Sequence, residues 1–296
     1  MKNKLLSNVI IILLILTGLS LLLYPVLSNY LKSIAYSNAI MDYQRVVEGL
    51  EPESYADILA RAESYNEDLV GREYIMLPFS DEDEADYQSQ VRLPGTDVMG
   101  YVVIPKINVS LPIYHGTSDT VLQNGIGHLE GSSMPVGGLG THAVLSGHRG
   151  LVSARLFTDL DRLVIGDTFK ILVLGEVLLY EVDDISTVLP SDSGILQIDP
   201  EQDYCTLLTC TPYGVNSHRL LVRGHRIPTP EGESHDTVLE EVPLEDGKIF
   251  GQNVELIILI AAGIAVVLVS AFVIVTRMLI DKYVQRRKPA KRWHRP

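Results

Sequence analysis

Two uncharged stretches stand near the ends of the chain, and shorter periodic patterns fill the space between them. Val9 to Leu23 is an apolar run preceded by Lys2 and Lys4. Leu256 to Val275 is twenty residues without a charge, long enough to cross a bilayer as a helix. From Lys32 the apolar positions take helical spacing: Tyr36, Ile40, Tyr43, Val47 and Leu50. Pro52 interrupts the pattern, and Tyr55, Ile58, Leu59, Ala62, Tyr65 and Leu69 resume it. This predicts two amphipathic helices over 32–70, packed against the main domain. Residues 71–98 show neither period and read as an irregular loop with an acidic cluster at Asp81, Glu82, Asp83, Glu84 and Asp86. A loop of this length is long for a plain connection, and such loops are often lids.

From Met99 the pattern shortens to strand-like runs. Strands are predicted over Gly100–Pro105, Val109–Tyr114, Thr141–Ser146, Asp167–Leu174, Leu178–Ile185, Tyr204–Thr211 and Arg219–Ile227, punctuated by Gly, Pro and Asn. Seven or eight such strands over 99–228 imply a closed barrel or a sandwich. Residues 229–253 are acidic and bear Pro and Gly, so they read as a linker to the apolar segment at 254–276 and the tail at 277–296.

Charge orders these parts across a membrane. Between Lys32 and Phe250 there are 35 acidic against 14 basic residues, a balance of −21. That acidity argues against a nucleic-acid partner. The tail carries Arg277, Lys282, Arg286, Arg287, Lys288, Lys291, Arg292 and Arg295, and basic residues beside an apolar span mark the cytoplasmic side. The chain is therefore read as membrane-bound, with its middle outside the cell and its C-terminal tail in the cytoplasm. Residues 1–31 form an anchor or a signal segment. Continuation through Tyr24, Val26 and Leu27 favours an anchor, while the small residues Ser33, Ala35, Ser37 and Ala39 leave cleavage open.

The candidate chemistry lies late in the chain. Cys210 sits in Thr206-Leu-Leu-Thr-Cys-Thr-Pro-Tyr213, nine residues before Arg219 and sixty-two after His148. A thiol, an imidazole and a guanidinium are the parts for cysteine acyl transfer: attack on a carbonyl, proton handling and oxyanion support. Cys205, the other cysteine, falls on the opposite face of the same strand and reads as a buried small hydrophobe. His142 lies among alternating apolar residues and reads as structural, and Arg223 as a salt-bridge residue. The close His and Cys pairs of a zinc site are absent, so neither metal nor cofactor is expected.

Five stretches, in this order and spacing, carry a family resemblance: Gly100-Tyr-Val-Val-Ile-Pro-Lys-Ile107, Leu111-Pro-Ile-Tyr-His-Gly-Thr117, Gly127-His-Leu-Glu-Gly-Ser-Ser133, Leu145-Ser-Gly-His-Arg-Gly150, and Thr206 through Asn216 running into His218-Arg-Leu-Leu-Val-Arg-Gly224. Together they resemble the sortases, and within them the class C, pilus-assembling type of Gram-positive bacteria. The resemblance implies a mainly β fold: an eight-stranded sortase-type β-barrel with N-terminal helices and, here, a transmembrane helix at each end. It implies cleavage of an LPXTG-like sorting signal through a thioester and transfer to an amine, in the class C type a pilin lysine, giving isopeptide-linked pilins. The implied partners are surface or pilin proteins with such a signal.

By the same resemblance Cys210 is the nucleophile, His148 the proton-handling residue and Arg219 the catalytic arginine. Thr209 matches the motif as a supporting residue or is a strand-packing threonine. Class C enzymes carry an Asp-Pro-aromatic lid motif; here its best match is Leu77-Pro78-Phe79, which keeps the aromatic ring and lacks the carboxylate. A housekeeping sortase that attaches proteins to the cell wall shares the same three residues and stays open as an alternative. A papain-like hydrolase has its Cys before its His, the reverse of this order. A non-catalytic, membrane-tethered binding module leaves Cys210, His148 and Arg219 unexplained.

Overall fold

Eight strands close one barrel: β1 (Val98–Ile104), β2 (Val109–His115), β3 (Ile126–His128), β4 (Thr141–Ser146), β5 (Thr168–Val173), β6 (Glu176–Val188), β7 (Asp203–Thr211) and β8 (His218–Arg226). Their order around the barrel is β1-β2-β3-β4-β7-β8-β6-β5, closing back on β1. The β2/β3 and β4/β7 pairs are parallel and the other pairs antiparallel. The computed structural model describes residues 2–71, 80–192 and 194–234, with further short stretches at 237–238, 248–249, 252–253, 263–264 and 270–278. The chain divides into two compact units, one of residues 31–246 and one of residues 1–30 with 247–296.

The expected strands coincide with the observed ones to within three residues at each end. β3 has no counterpart among them: three residues are too short to show a period. Inside the barrel the aromatic rings of Phe169 and Tyr180 stack at 5.5 Å. Each such fully buried side chain contributes ~1.5–3 kcal/mol.

β1 is buried along its whole length because both faces are covered. Its outer face meets α1 (Lys2–Glu48). There the Tyr43 hydroxyl donates to the Met99 carbonyl at 3.1 Å and accepts from the Leu174 N–H at 2.8 Å. Gln44 donates to the Tyr101 hydroxyl. The buried residues of this part of α1, Tyr36, Ile40 and Tyr43, are those of the sequence period. α2 (Pro52–Leu69) starts at the proline that interrupts the pattern and buries Ile58, Ala62, Asn66 and Leu69 as one stripe. Asn66 pairs with both the N–H and the carbonyl of Met134, fixing α2 to the β3–β4 connection.

α1 runs unbroken through the boundary expected at residue 31. Its stretch from Val9 is long and apolar enough to cross a membrane, and Ile10, Ile11, Leu13, Leu14, Leu21 and Leu22 are all exposed. The span expected at 254–276 and the tail at 277–296 lie mostly outside the described residues; 263–264 and 270–278 are helical.

Two expectations are corrected. Part of the region read as irregular, 71–98, is a helix, α3 (Asp81–Ser89). It is specified locally rather than by an apolar stripe. Ser80 and Asp83 form a reciprocal capping box, and four acidic residues occupy the first turn, where the helix dipole favours negative charge. The start of the expected linker at 229–253 is barrel cover. Thr229 donates to the Val177 carbonyl at 2.9 Å, Glu233 makes a buried ion pair with Lys170, and Val238 is fully buried. A short helix, α4 (Asp119–Asn124), which no period announced, lies between β2 and β3.

Candidate active site

β7 and β8 set the site's geometry. In their antiparallel ladder Cys210 is the direct partner of Arg219, Thr209 of Leu220 and Thr211 of His218. Direct partners place their side chains on one face, with Cβ atoms ~4.5–5.5 Å apart. Alternation along β7 turns Cys205, Leu207 and Thr209 toward the barrel interior, and Cys210 outward with Leu208. Cys210 is partly exposed and Cys205 is fully buried; both are free thiols. Burial raises the Cys205 thiol well above its ordinary pKa, which keeps it protonated and inert.

His148 reaches the same place from β4. The parallel β4–β7 register ends with Ser146 opposite Leu208. The Gly147 N–H then donates to the Leu208 carbonyl at 3.0 Å, and Thr209 Oγ1 donates to the Gly147 carbonyl at 2.6 Å. These two bonds tie the residue before His148 to the strand end that carries Cys210. The His148 carbonyl accepts from the Phe157 N–H at 3.1 Å, so the backbone is held on both sides of the turn. Gly147 allows the approach. A Cβ there would stand 2.7 Å from both Ile126 Cδ1 and Phe157 Cδ2. Thr209 is itself buried, and its hydroxyl is a brace for the turn that presents His148.

The Arg219 guanidinium lies at the start of β8, where its Nη1 donates to the carbonyls of His218 at 3.2 Å and Asn216 at 3.4 Å. Both bonds go to its own hairpin, and no ion pair holds its charge among the described residues. Arg223, two alternations further along β8, is engaged differently. It makes a fork of two 3.0 Å bonds to Asp183 and stacks 4.2 Å over the Tyr204 ring. His142 is buried between Thr206 Oγ1, 2.7 Å from Nε2, and the Gln197 carbonyl, 2.9 Å from Nδ1. Burial lowers its pKa to about 4.

A small apolar cluster neighbours Cys210 and Arg219 along their strands, and periodicity does not single it out. Val144, Leu221 and Leu196 are buried together, with Val188, Leu208 and Leu129 against them. Leu208 is two residues from Cys210, Leu221 two from Arg219, and Val188 is the β6 partner of Arg219. The signal was present as apolar residues on the outward positions of β7 and β8, but outwardness is visible only once the barrel closes. Leu77, Pro78 and Phe79 lie outside the described residues. Among the described residues no group of His, Cys, Asp and Glu could hold a metal ion.

A family model described as "Sortase domain" matches residues 102–227, from within β1 to just past β8. Sortase D of Bacillus subtilis is 30% identical over 148 residues, which span 49% of this chain and 72% of that protein. The chain belongs to the sortase family. Among solved structures, this sortase is similar to sortase C1 of Streptococcus agalactiae, with 52% identity and a TM-score of 0.63, covering 65% of this chain and 100% of that one. It is also similar to sortase C-1 of Actinomyces oris, with 46% identity and a TM-score of 0.55, covering 60% of this chain and 100% of that one. Its structural neighbours thus include class C sortases, and as a sortase it is a cysteine transpeptidase.

Proposed function

We propose that this sortase is membrane-anchored, cleaves an LPXTG-like sorting signal through a thioester on Cys210, and joins pilin subunits through lysine isopeptide bonds. The observation that carries the reading is the pairing of Cys210 with Arg219 across β7–β8, with the turn that bears His148 tied to the same strand end through Thr209 and Gly147. The Cys210 thiolate attacks the carbonyl carbon of the signal's threonine. Arg219, with donors to spare, stabilises the oxyanion or the peptide backbone. As the tetrahedral intermediate collapses, the C–N bond breaks, and the His148 imidazolium protonates the departing amine. A pilin lysine amine then attacks the thioester, gives up a proton to His148, and the thiolate leaves.

The exposed apolar stretch of α1 and the basic tail support a catalytic domain on the outer face of the cell membrane, with the tail in the cytoplasm. The lid role of Leu77, Pro78 and Phe79 rests on sequence alone. Similarity to class C enzymes supports the pilin-joining branch over attachment to the wall.

The test is incubation of the purified chain with a pilin that bears the sorting signal and surface lysines. A ladder of covalent polymers that survives denaturing electrophoresis is the expected product. Transfer to a cell-wall amine alone, without polymers, is the result that would remove the pilin reading.

A further inference from the structure

Arg149 follows His148 directly and has only 10% of its side chain exposed. A permanent cation is rarely buried this far unless something holds it. Its Nη1 donates to Thr211 Oγ1 at 3.1 Å, its Nη2 pairs with Asp161, and its Nε is buried without a hydrogen-bond partner among the described residues. Thr211 directly follows Cys210. One guanidinium therefore joins the residue after the imidazole to the residue after the thiol.

The seam it spans needs such a link. β4 ends at Ser146, whereas β7 continues to Thr211. Past the bond from the Gly147 N–H to the Leu208 carbonyl, the contacts across the seam come from side chains: Thr209 to Gly147, then Arg149 to Thr211. Asp161, from the turn after the His148 loop, holds the guanidinium from its other side and is itself half-exposed. The fork makes both contacts at once because it is planar and rigid, which an ammonium on a flexible stem does not reproduce.

We propose that Arg149 is a positioning residue for acyl transfer: it clips the His148 turn to the end of the Cys210 strand. The proposal rests on the reading of Cys210 and His148 as thiol and proton carrier. A chain neighbour of each is fixed by the clip, so its loss moves the two reacting groups apart without removing either.

The experiment uses the full chain in detergent with a sorting-signal peptide and an amine acceptor. It compares wild type with Arg149→Met, Arg149→Lys, Thr211→Val and the Arg149→Met/Thr211→Val double variant. The readouts are kcat, KM and the site of iodoacetamide alkylation, mapped by mass spectrometry. Arg149→Met is expected to lower kcat on the order of 10- to 100-fold with KM within roughly twofold. Arg149→Lys keeps the charge and loses the fork, so kcat should be recovered only in part. Thr211→Val should lower kcat, and the double variant should be no slower than Arg149→Met alone. An Arg149→Met enzyme with wild-type kcat, or one whose loss lies in KM rather than kcat, overturns the proposal. Additive losses in the double variant do so as well. An adduct that persists in Cys210→Ala instead overturns the reading of the site, independently of Arg149.

Discussion

Cys210 and Arg219 are direct partners across the antiparallel β7–β8 ladder. Two strands hydrogen-bonded along their length thus fix a thiol and a guanidinium on one face. Arg219 spends only Nη1 on its own hairpin carbonyls, whereas Arg223, on the same face of β8, is committed to Asp183 and Tyr204.

That contrast predicts opposite consequences for the same substitution. Arg219→Lys keeps the charge and loses the fork, and is expected to lower turnover ~100-fold or more, as removal of an oxyanion donor does, with little change in unfolding free energy. Arg223→Lys breaks a bidentate, stacked contact and is expected to cost ~1–3 kcal/mol of stability while turnover changes little. Steady-state kinetics beside denaturant unfolding checks both. Near wild-type turnover in Arg219→Lys would remove its proposed role.

Thr209 is the brace under the His148 turn. Thr209→Val removes the 2.6 Å bond to the Gly147 carbonyl and leaves that carbonyl without its donor. A stability loss of ~1–3 kcal/mol is expected, together with slower acyl transfer at an unchanged KM. Thr209→Ser keeps the hydroxyl and should recover most of the rate. Equal rates for the valine and serine variants would make Thr209 a packing residue only.

The stability of the chain should fall on acidification before carboxylates titrate. Burial lowers the pKa of His128 and of His142 to about 4, from 6.5 in the unfolded chain. Both are neutral in the folded state, so their contribution is complete above pH 6.5. Between 6.5 and about 4 the unfolded chain binds two protons that the folded chain does not, which costs up to ~2.7 kcal/mol per pH unit. Below about 4 both states are protonated and the dependence from these groups levels off. Thermal melts from pH 7 to 4.5 should show the decline, and His142→Gln should reduce its slope. An unchanged slope in that variant would contradict the assignment.

Tyr87 ties α3 to the barrel. Its hydroxyl accepts from the Gly116 N–H at 2.9 Å and lies 3.0 Å from both the Nδ1 and the carbonyl of the buried His128. Tyr87→Phe keeps the ring and strands these buried groups, for an expected loss of ~1–3 kcal/mol. Hydrogen exchange should show the loss concentrated at Gly116 and along α3. Protection equal to wild type at both places would show that the ring alone secures the helix.

What could be read from the sequence follows the range of the interactions involved. Alternation located the barrel strands, and Tyr36, Ile40, Tyr43, Ile58 and Ala62 located the helical faces that cover them. The expectation that Cys205 and Cys210 face opposite ways holds, because a strand alternates whatever surrounds it. α3 was missed since its signal is a capping box, not an apolar period. The Lys170–Glu233 pair was hidden because it joins residues far apart in the chain, and Glu233 alone looks like linker charge. Arg149 stood in plain view beside His148, but its link to Thr211 depends on the parallel β4–β7 pairing, which periodicity does not supply.

The most direct test of the account is mass spectrometry of the full chain quenched during turnover of a sorting-signal peptide. A thioester-linked acyl group on Cys210, its absence in Cys210→Ala, and its persistence in Cys205→Ala are the predicted results. An acyl group on Cys205, or transpeptidation by Cys210→Ala, would contradict the central claim.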